Sequence, residues 1–273
     1  MFRLVAWTLD SYEGGFLLIA GSTLLSVVGL LLVRRLIDTS NLVACHDVGS
    51  SLLSVVGTLY AVILGLIVVD AMGKFQEAHV VTEGESNALA NLVILANRMP
   101  TEKRDEIHLK AQTYSELVIN EEWPMMDHGD YSSRAATSAL ELMDAVAHFE
   151  PVTEGQKAIY AESLSVSSDF WSNRRSRTGK VIRGIPALEW LVLILGGMIT
   201  IVFTYFFALE RVKVQVAMTT LVSLIISLNV YLVSMFGYPY SGDLKVSSDG
   251  FRIAHSMLES QEEPHGISHK MAK

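Results

Sequence analysis

Asp70, Glu189 and Asn229 are polar side chains in or beside long apolar runs, which is where a polar group costs most and does most chemistry. At membrane depth a carboxylate can attract ions or relay protons, and an amide demands a hydrogen-bond partner. Milder roles fit the same positions. Asp70 precedes Lys74 by four residues, the spacing of a helical ion pair. Glu189 follows Pro186 at the start of an apolar run, where a carboxylate complements the positive end of a helix. The Asn229 amide wants a partner beyond its own helix, so an inter-helix or inter-subunit bond is expected. His46-Asp47 suggests half of a metal or phosphohydrolase dyad, but no second cluster accompanies it, and Asp47 reads as a helix cap. His265 and His269, four apart in a polar tail, read as solvated. The chain has no HExxH, GxSxG, GxxxxGK[ST] or paired-cysteine motif. The expectation is no catalytic residue, no metal set, no cofactor and no enzyme.

Small and hydroxyl residues carry the remaining signal. With each residue turned 100° from the last, Ser50, Ser54, Gly57, Thr58, Ala61 and Gly65 fall within one arc, while Leu52, Leu59, Ile63 and Leu66 lie opposite. Thr220, Ser223, Ser227 and Ser234 share a face of a later run, with Asn229 nearly opposite. Such stripes either let helices approach closely, with hydroxyls bonding backbone carbonyls, or line a wetted conduction path.

The elements that hold these residues follow from hydropathy. Four stretches, near residues 16 to 33, 48 to 69, 190 to 209 and 216 to 236, approach the ~20 residues a helix needs to cross the hydrocarbon core. They must be helices, because barrel strands are shorter and alternate polar with apolar. Half of the 273 residues are hydrophobic and only 18% are charged, in keeping with a membrane chain. No basic patch points to nucleic acid. A lone cysteine, Cys45, rules out an internal disulfide. Leu42-Val43-Ala44-Cys45 resembles a lipid-attachment box, but Arg34, Arg35 and Asp38 intervene after the apolar run, so the first span is expected to be retained.

Residues 73 to 184 hold 17 Asp and Glu against 12 Lys and Arg, which places most of the net charge of -8 there. The periodicity predicts four helices. The first takes Val81, Ala88, Leu92, Leu95 and Met99 up to Pro100; the second starts at a Thr101 cap and carries Ile107, Ala111, Tyr114, Leu117 and Val118 to Trp123-Pro124. The third carries Ala135, Leu140, Met143 and Val146, and the fourth, after Pro151-Val152-Thr153, carries Ile159, Ser163, Val166 and Phe170. A basic run, Arg174, Arg175, Arg177, Lys180 and Arg183, then leads into the third span. The expected organisation is all-α: a membrane hairpin over 1–72 (spans near 16–37 and 48–72), an extramembrane helical bundle over 73–184, a second hairpin over 185–240 (spans near 186–209 and 214–237) and a polar tail over 241–273. Four spans put both termini and the bundle on one side. Arg3, Lys74, the five basic residues before the third span and Lys245 flank that side, against Arg34, Arg35, Arg211 and Lys213 on the other. Eight against four favours a cytoplasmic bundle.

His46-Asp47-Val48-Gly49, then Gly57-Thr58-Leu59-Tyr60-Ala61-Val62-Ile63-Leu64-Gly65 and Glu85-Ser86-Asn87-Ala88-Leu89, resemble a bacterial family of bestrophin-like membrane proteins of unknown function. Tyr238-Pro239-Tyr240-Ser241-Gly242-Asp243 with Val246-Ser247 is similar to that family's Pro-aromatic-Ser-Gly ending. The resemblance covers nearly the whole chain. It implies an oligomeric, all-helical anion channel whose pore is lined by the second membrane helix of each subunit. The acidic calcium cluster and aromatic pore neck of bestrophins are missing, so calcium gating is not implied. Pro239 and Gly242 read as a helix stop and a turn. The expectation is a multi-pass homo-oligomer in the bacterial inner membrane, whose partners are lipid, small inorganic ions and its own copies, with no nucleic acid. The alternative is a non-conducting scaffold or sensor whose bundle recruits a partner.

Overall fold

A computed structural model describes residues 11–36, 46–182, 184–207 and 211–262, with the side chains of 37–50 and 261–262 left aside. Cys45, the side chains of His46, Asp47 and Ser50, and His265 and His269 lie outside what it describes. Among the described residues there is no strand. The helices are α1 (Tyr12–Leu36), α2 (His46–Ala96), α3 (Thr101–Leu117), a π-helical turn (Val118–Glu122), α4 (Trp123–Asp127), α5 (Ser133–Ala147), α6 (Glu154–Ile182), α7 (Ala187–Tyr205), α8 (Val212–Gly237) and α9 (Asp249–Glu262). Among the described residues, four helices are long and apolar enough to cross a membrane: α1, α2, α7 and α8.

The chain divides into two compact units, one of residues 1–75, 184–238 and 242–244, the other of 76–183, 239–241 and 245–273. In the first, α1 lies along α8. Ser22 Oγ meets Ser227 Oγ at 2.6 Å, and Ser26 Oγ meets Ser223 Oγ at 2.9 Å. At the other end of the pair Arg34 Nη1 donates to Gln215 Oε1, while Gln215 Nε2 reaches the carbonyls of Thr204 and Tyr205 at 3.3 and 3.4 Å. Helix α2 adds Tyr60, Leu64, Ile67 and Ala71 to a core with Ile185, Trp190, Leu193, Ile226, Val230 and Val233. The Tyr60 ring rests on Gly196, where any Cβ would collide with it, and its hydroxyl donates to the Leu193 carbonyl at 3.0 Å.

The second unit is a bundle built on Leu89, Leu92, Ile107, Tyr114, Leu142, Phe170 and Phe251, all essentially inaccessible. Ser132 caps α5 by accepting from Ala135 N at 3.1 Å. Thr153 and Gln156 form a reciprocal capping box at the start of α6.

Several expectations need correction here. The second span and the first bundle helix, separated at residue 72 on composition, are one helix, because apolar composition ends there but nothing interrupts the backbone ladder. Thr101 does not cap α3; Pro100 occupies that position without a side-chain bond. Trp123-Pro124 does not end the second bundle helix, since the π turn passes into α4 with proline in its first turn, where a missing N–H costs nothing. Leu140 is half-exposed, because α5 buries Ala139, Leu142 and Val146 instead. The tail is also not simply polar: 249–262 forms α9, whose Phe251, Ala254 and Leu258 are buried in the bundle. Gly242 adopts φ 77°, the turn conformation glycine permits.

Candidate functional site

The apolar runs that force α2 to be a helix also give it three faces. One, through Tyr60, Leu64, Ile67 and Ala71, is used for packing inside the chain. A second, through Leu52, Leu59, Ile63 and Leu66, is bulky and exposed. The third is the small stripe, where Ser54, Thr58, Ala61 and Gly65 are exposed and Gly57 half-buried. Nothing lies within 4 Å of where a Cβ on Gly57 or Gly65 would stand. Among the described residues, no helix therefore packs closely on the stripe's glycines. Thr58 Oγ1 donates to the Ser54 carbonyl at 2.7 Å, which keeps that hydroxyl on the helix surface.

The fourth-span hydroxyls have a different fate. Ser223 and Ser227 are buried against α1 through the serine pairs, and Ser234 is buried with its Oγ unbonded. Thr220 is half-buried on the same helix. The serine face of α8 thus belongs to the interior of the chain. The expectation that Asn229 bonds another helix is not met within the chain. Its Nδ2 donates to the Ile225 carbonyl at 2.9 Å, one turn back on α8, a local acceptor the sequence argument set aside.

Asp70 meets Lys74 at 2.5 Å, as their spacing implies. Glu189 lies 3.9 Å from the same ammonium, with one buried oxygen taking no hydrogen bond. Two carboxylates thus share one cation, and Glu189 bonds no free amide at the start of α7, where Pro186 is the cap.

Sequence reasoning missed the most concentrated group of charges, which lies in the bundle. Arg177 of α6 donates Nε to Glu85 Oε2 at 2.6 Å and Nη2 to Glu85 Oε1 at 2.9 Å and Glu122 Oε1 at 2.6 Å. Arg174, one turn earlier, donates to Glu122 at 3.0 and 2.7 Å and to the Tyr114 hydroxyl at 2.6 Å. Tyr114 in turn donates to Glu85. Arg177 also stacks at 5.3 Å from Trp123 and 5.4 Å from Phe251. Every charged member is almost wholly buried, and two guanidinium groups balance two carboxylates. Glu122 closes the π turn on its buried side, four residues after the buried Val118.

Electrostatics agree with that neutrality. Burial pushes the Glu122 carboxyl up, but Arg177 and then Arg174 outweigh it and hold it below its ordinary value. Burial alone would lower the Arg177 guanidinium, but Glu85 first and Glu122 next hold it well above its usual range. The Tyr114 phenol is driven well above its usual range by burial, then by Glu85. Arg174 and Arg177, read from sequence as membrane-flanking charges, are therefore spent inside the bundle, and the flank count falls to six against four.

Among the described residues a Ser-His-Glu arrangement occurs: Ser115 Oγ is 2.9 Å from His255 Nδ1, and His255 Nε2 is 3.4 Å from Glu259. It joins α9 to α3. Ser115 is fully buried and donates its only hydroxyl hydrogen to the Gln112 carbonyl at 2.9 Å, so it is closed to a substrate. No group of three or more metal-ligating side chains occurs among the described residues.

The Bestrophin-like domain family matches residues 20–251. A membrane protein known from its crystal structure shares the fold with TM-score 0.69 at 12% identity, over 90% of this chain and 98% of that chain. A bacterial bestrophin homologue from Klebsiella pneumoniae, solved with a single mutation, gives TM-score 0.65 at 14% identity, over 90% and 99% of the two chains. A second mutant of a Klebsiella pneumoniae homologue gives 0.61 at 15% identity, over 88% and 99%. At such identities the likeness is one of fold. No curated protein matches the sequence.

Proposed function

The chain belongs to the Bestrophin-like family and is a multi-pass membrane protein, and on that premise we propose that it is a homo-oligomeric ion channel with α2 nearest the pore. The observation that carries this reading is the exposed small stripe of α2. Interior packing uses a different face of that helix, and a lipid-facing surface needs no glycine, alanine or hydroxyl periodicity. A run of Ser54, Gly57, Thr58, Ala61 and Gly65 suits a face that meets other copies or water.

Small anions are the proposed permeant species. The stripe holds hydroxyls and backbone but no carboxylate, and Asp70 lies in phase with the bulky face, where it pairs with Lys74. The bundle is proposed to be cytoplasmic, on the remaining excess of basic flanks. Of the residues named from sequence, Ser54, Gly57, Thr58, Ala61 and Gly65 are kept for the pathway or the subunit contact. Ser223, Ser227 and Ser234 are assigned to packing, and Asp70 and Glu189 near span ends and Asn229 within α8 are held as candidate functional polar groups.

Mass photometry in nanodiscs tests the assembly: the wild type is expected as one discrete oligomer, which Ala61→Leu splits or distorts by separating the stripe from its neighbour. A monomeric wild type removes the channel reading. Cysteine at Asp127 in a Cys45→Ser background should resist an impermeant maleimide in intact cells, and ready labelling there would invert the orientation.

A further inference from the structure

A cleft of about 280 Å³ lies among α1, α7 and α8 of the membrane unit. Ser22, Ser26 and Ser227 form its polar side, and Leu193, Ile201 and Val230 are among its apolar lining. Leu25, Ile194, Met198 and Val202 stand at its rim, 72%, 43%, 53% and 40% exposed. We propose that this cleft is a binding site for one acyl chain of a membrane phospholipid.

Depth selects the chemistry. The lining residues of α1 and α8, Leu18–Ser26 and Ile226–Val230, lie inside helices that span the membrane, and those of α7 run from Leu193 in mid-helix to its last residue, Tyr205. At 1.5 Å per residue, Met198 is roughly 10 Å from one end of α7 and roughly 16 Å from the other. A headgroup held at the interface reaches this point only through its hydrocarbon tail.

The hydroxyls make the same selection. Ser26 donates to the Ser22 carbonyl and Ser227 to the Ser223 carbonyl, both at 2.8 Å, Ser22 Oγ lies 3.2 Å from the Ile19 carbonyl, and the Ser22–Ser227 and Ser26–Ser223 pairs join the two helices. The four hydroxyls are thereby bonded within and between α1 and α8. The polar side is thus committed to the protein's own helices, and the rest of the wall, with Leu193, Ile201 and Val230, suits a hydrocarbon chain, which needs no polar partner. The exposed aliphatic rim opens the cleft sideways to the same hydrocarbon, so a chain can enter without crossing a polar surface.

The test uses the full-length protein in phosphatidylcholine nanodiscs whose lipid carries a diazirine midway along one acyl chain, with labelled residues mapped by peptide mass spectrometry. Labelling is expected to concentrate several-fold on residues 22–26 and 194–202 relative to Leu59 and Leu66, apolar positions more exposed than Ile194, Met198 and Val202. Val202→Trp and, separately, Met198→Trp fill the cleft and should remove that excess while oligomer size and labelling at Leu59 and Leu66 stay unchanged. A diazirine fatty acid at equal mole fraction should label the cleft no better than the phospholipid. Even labelling of cleft and outer face in the wild type overturns the proposal, as does an excess that persists in both filled variants. A photocrosslink to a second chain from benzoylphenylalanine at position 198 would give the cleft to a neighbouring copy and would likewise overturn it.

Discussion

Arg177→Met removes one charge from the bundle's buried lattice and keeps a side chain of similar length. Glu85 loses both of its bonds from that guanidinium and retains Tyr114 and Arg174, the latter at 3.8 Å. Glu122 loses a 2.6 Å bond but keeps two from Arg174. Two buried carboxylates then face one guanidinium. Removing one partner of a buried pair costs about 3–5 kcal/mol. For a unit of this size, about 2–4 °C per kcal/mol, the thermal midpoint should drop by roughly 6–20 °C. The neighbouring Arg175 is exposed, so Arg175→Met should stay within about 0.5 kcal/mol of the wild type. Adding Glu85→Met to Arg177→Met restores charge balance and should recover part of the loss, because both partners are then apolar. The pH profile follows the same logic. The folded Glu122 carboxyl lies below its ordinary value, so its contribution is complete above the usual carboxylate range and is lost as pH falls through the lowered value. Without Arg177 that value rises, and the acid transition should move to higher pH. Thermal and acid unfolding of the purified protein, followed by circular dichroism, read both. Equal midpoints for Arg177→Met and Arg175→Met would refute the assignment of the lattice as the bundle's electrostatic core.

Three further outcomes follow from single contacts. Tyr240 is pushed up to about 12 by burial and donates to the Ala78 carbonyl at 3.1 Å; its contribution is complete below the unfolded tyrosine value and is lost as pH rises from about 10 to about 12, so Tyr240→Phe should cost about 1 kcal/mol at neutral pH yet flatten alkaline unfolding. Gly196→Val drives a branched side chain into the Tyr60 ring and breaks its bond to Leu193, and a loss of about 1–3 kcal/mol is expected in detergent thermal scans. Ser227→Ala removes one α1–α8 pair and should cost about 0.6–2 kcal/mol in the same scans while leaving ion selectivity unchanged in planar bilayers, as befits a packing residue.

The spans were readable because unbroken apolar length has no competing explanation. The junction at residue 72 was drawn on composition, and a helix is held by its backbone ladder, which continues from Asp70 to Lys74 without regard to hydropathy. The lattice was overlooked because arginines before a span read as membrane flanks. Its signal was nevertheless present as charges in the phase of the buried stripes. Glu85 precedes Ala88 and Leu92 by three and seven, Glu122 follows Tyr114 and Val118 by eight and four, and Arg174 and Arg177 continue Ser163, Ser167 and Phe170. A charge at such a position must either distort the helix or meet its opposite inside. The tail helix was equally visible at Phe251, Ala254 and Leu258, a short stripe masked by its polar surroundings. Which stripe in the spans packs and which stays open was not readable, since Ser54 and Ser227 have the same side chain. Only the position of α1 against α8 separates them.

The central claim concerns the open face of α2, and reversal potentials across planar bilayers under a chloride gradient address it most directly. Wild-type protein should conduct with preference for the anion. Thr58→Asp places a carboxylate on the exposed stripe and should shift selectivity toward cations by local repulsion, with oligomer size unchanged. Bilayers that stay silent with the wild type, or an assembled Thr58→Asp variant with unaltered reversal potential, would contradict the account.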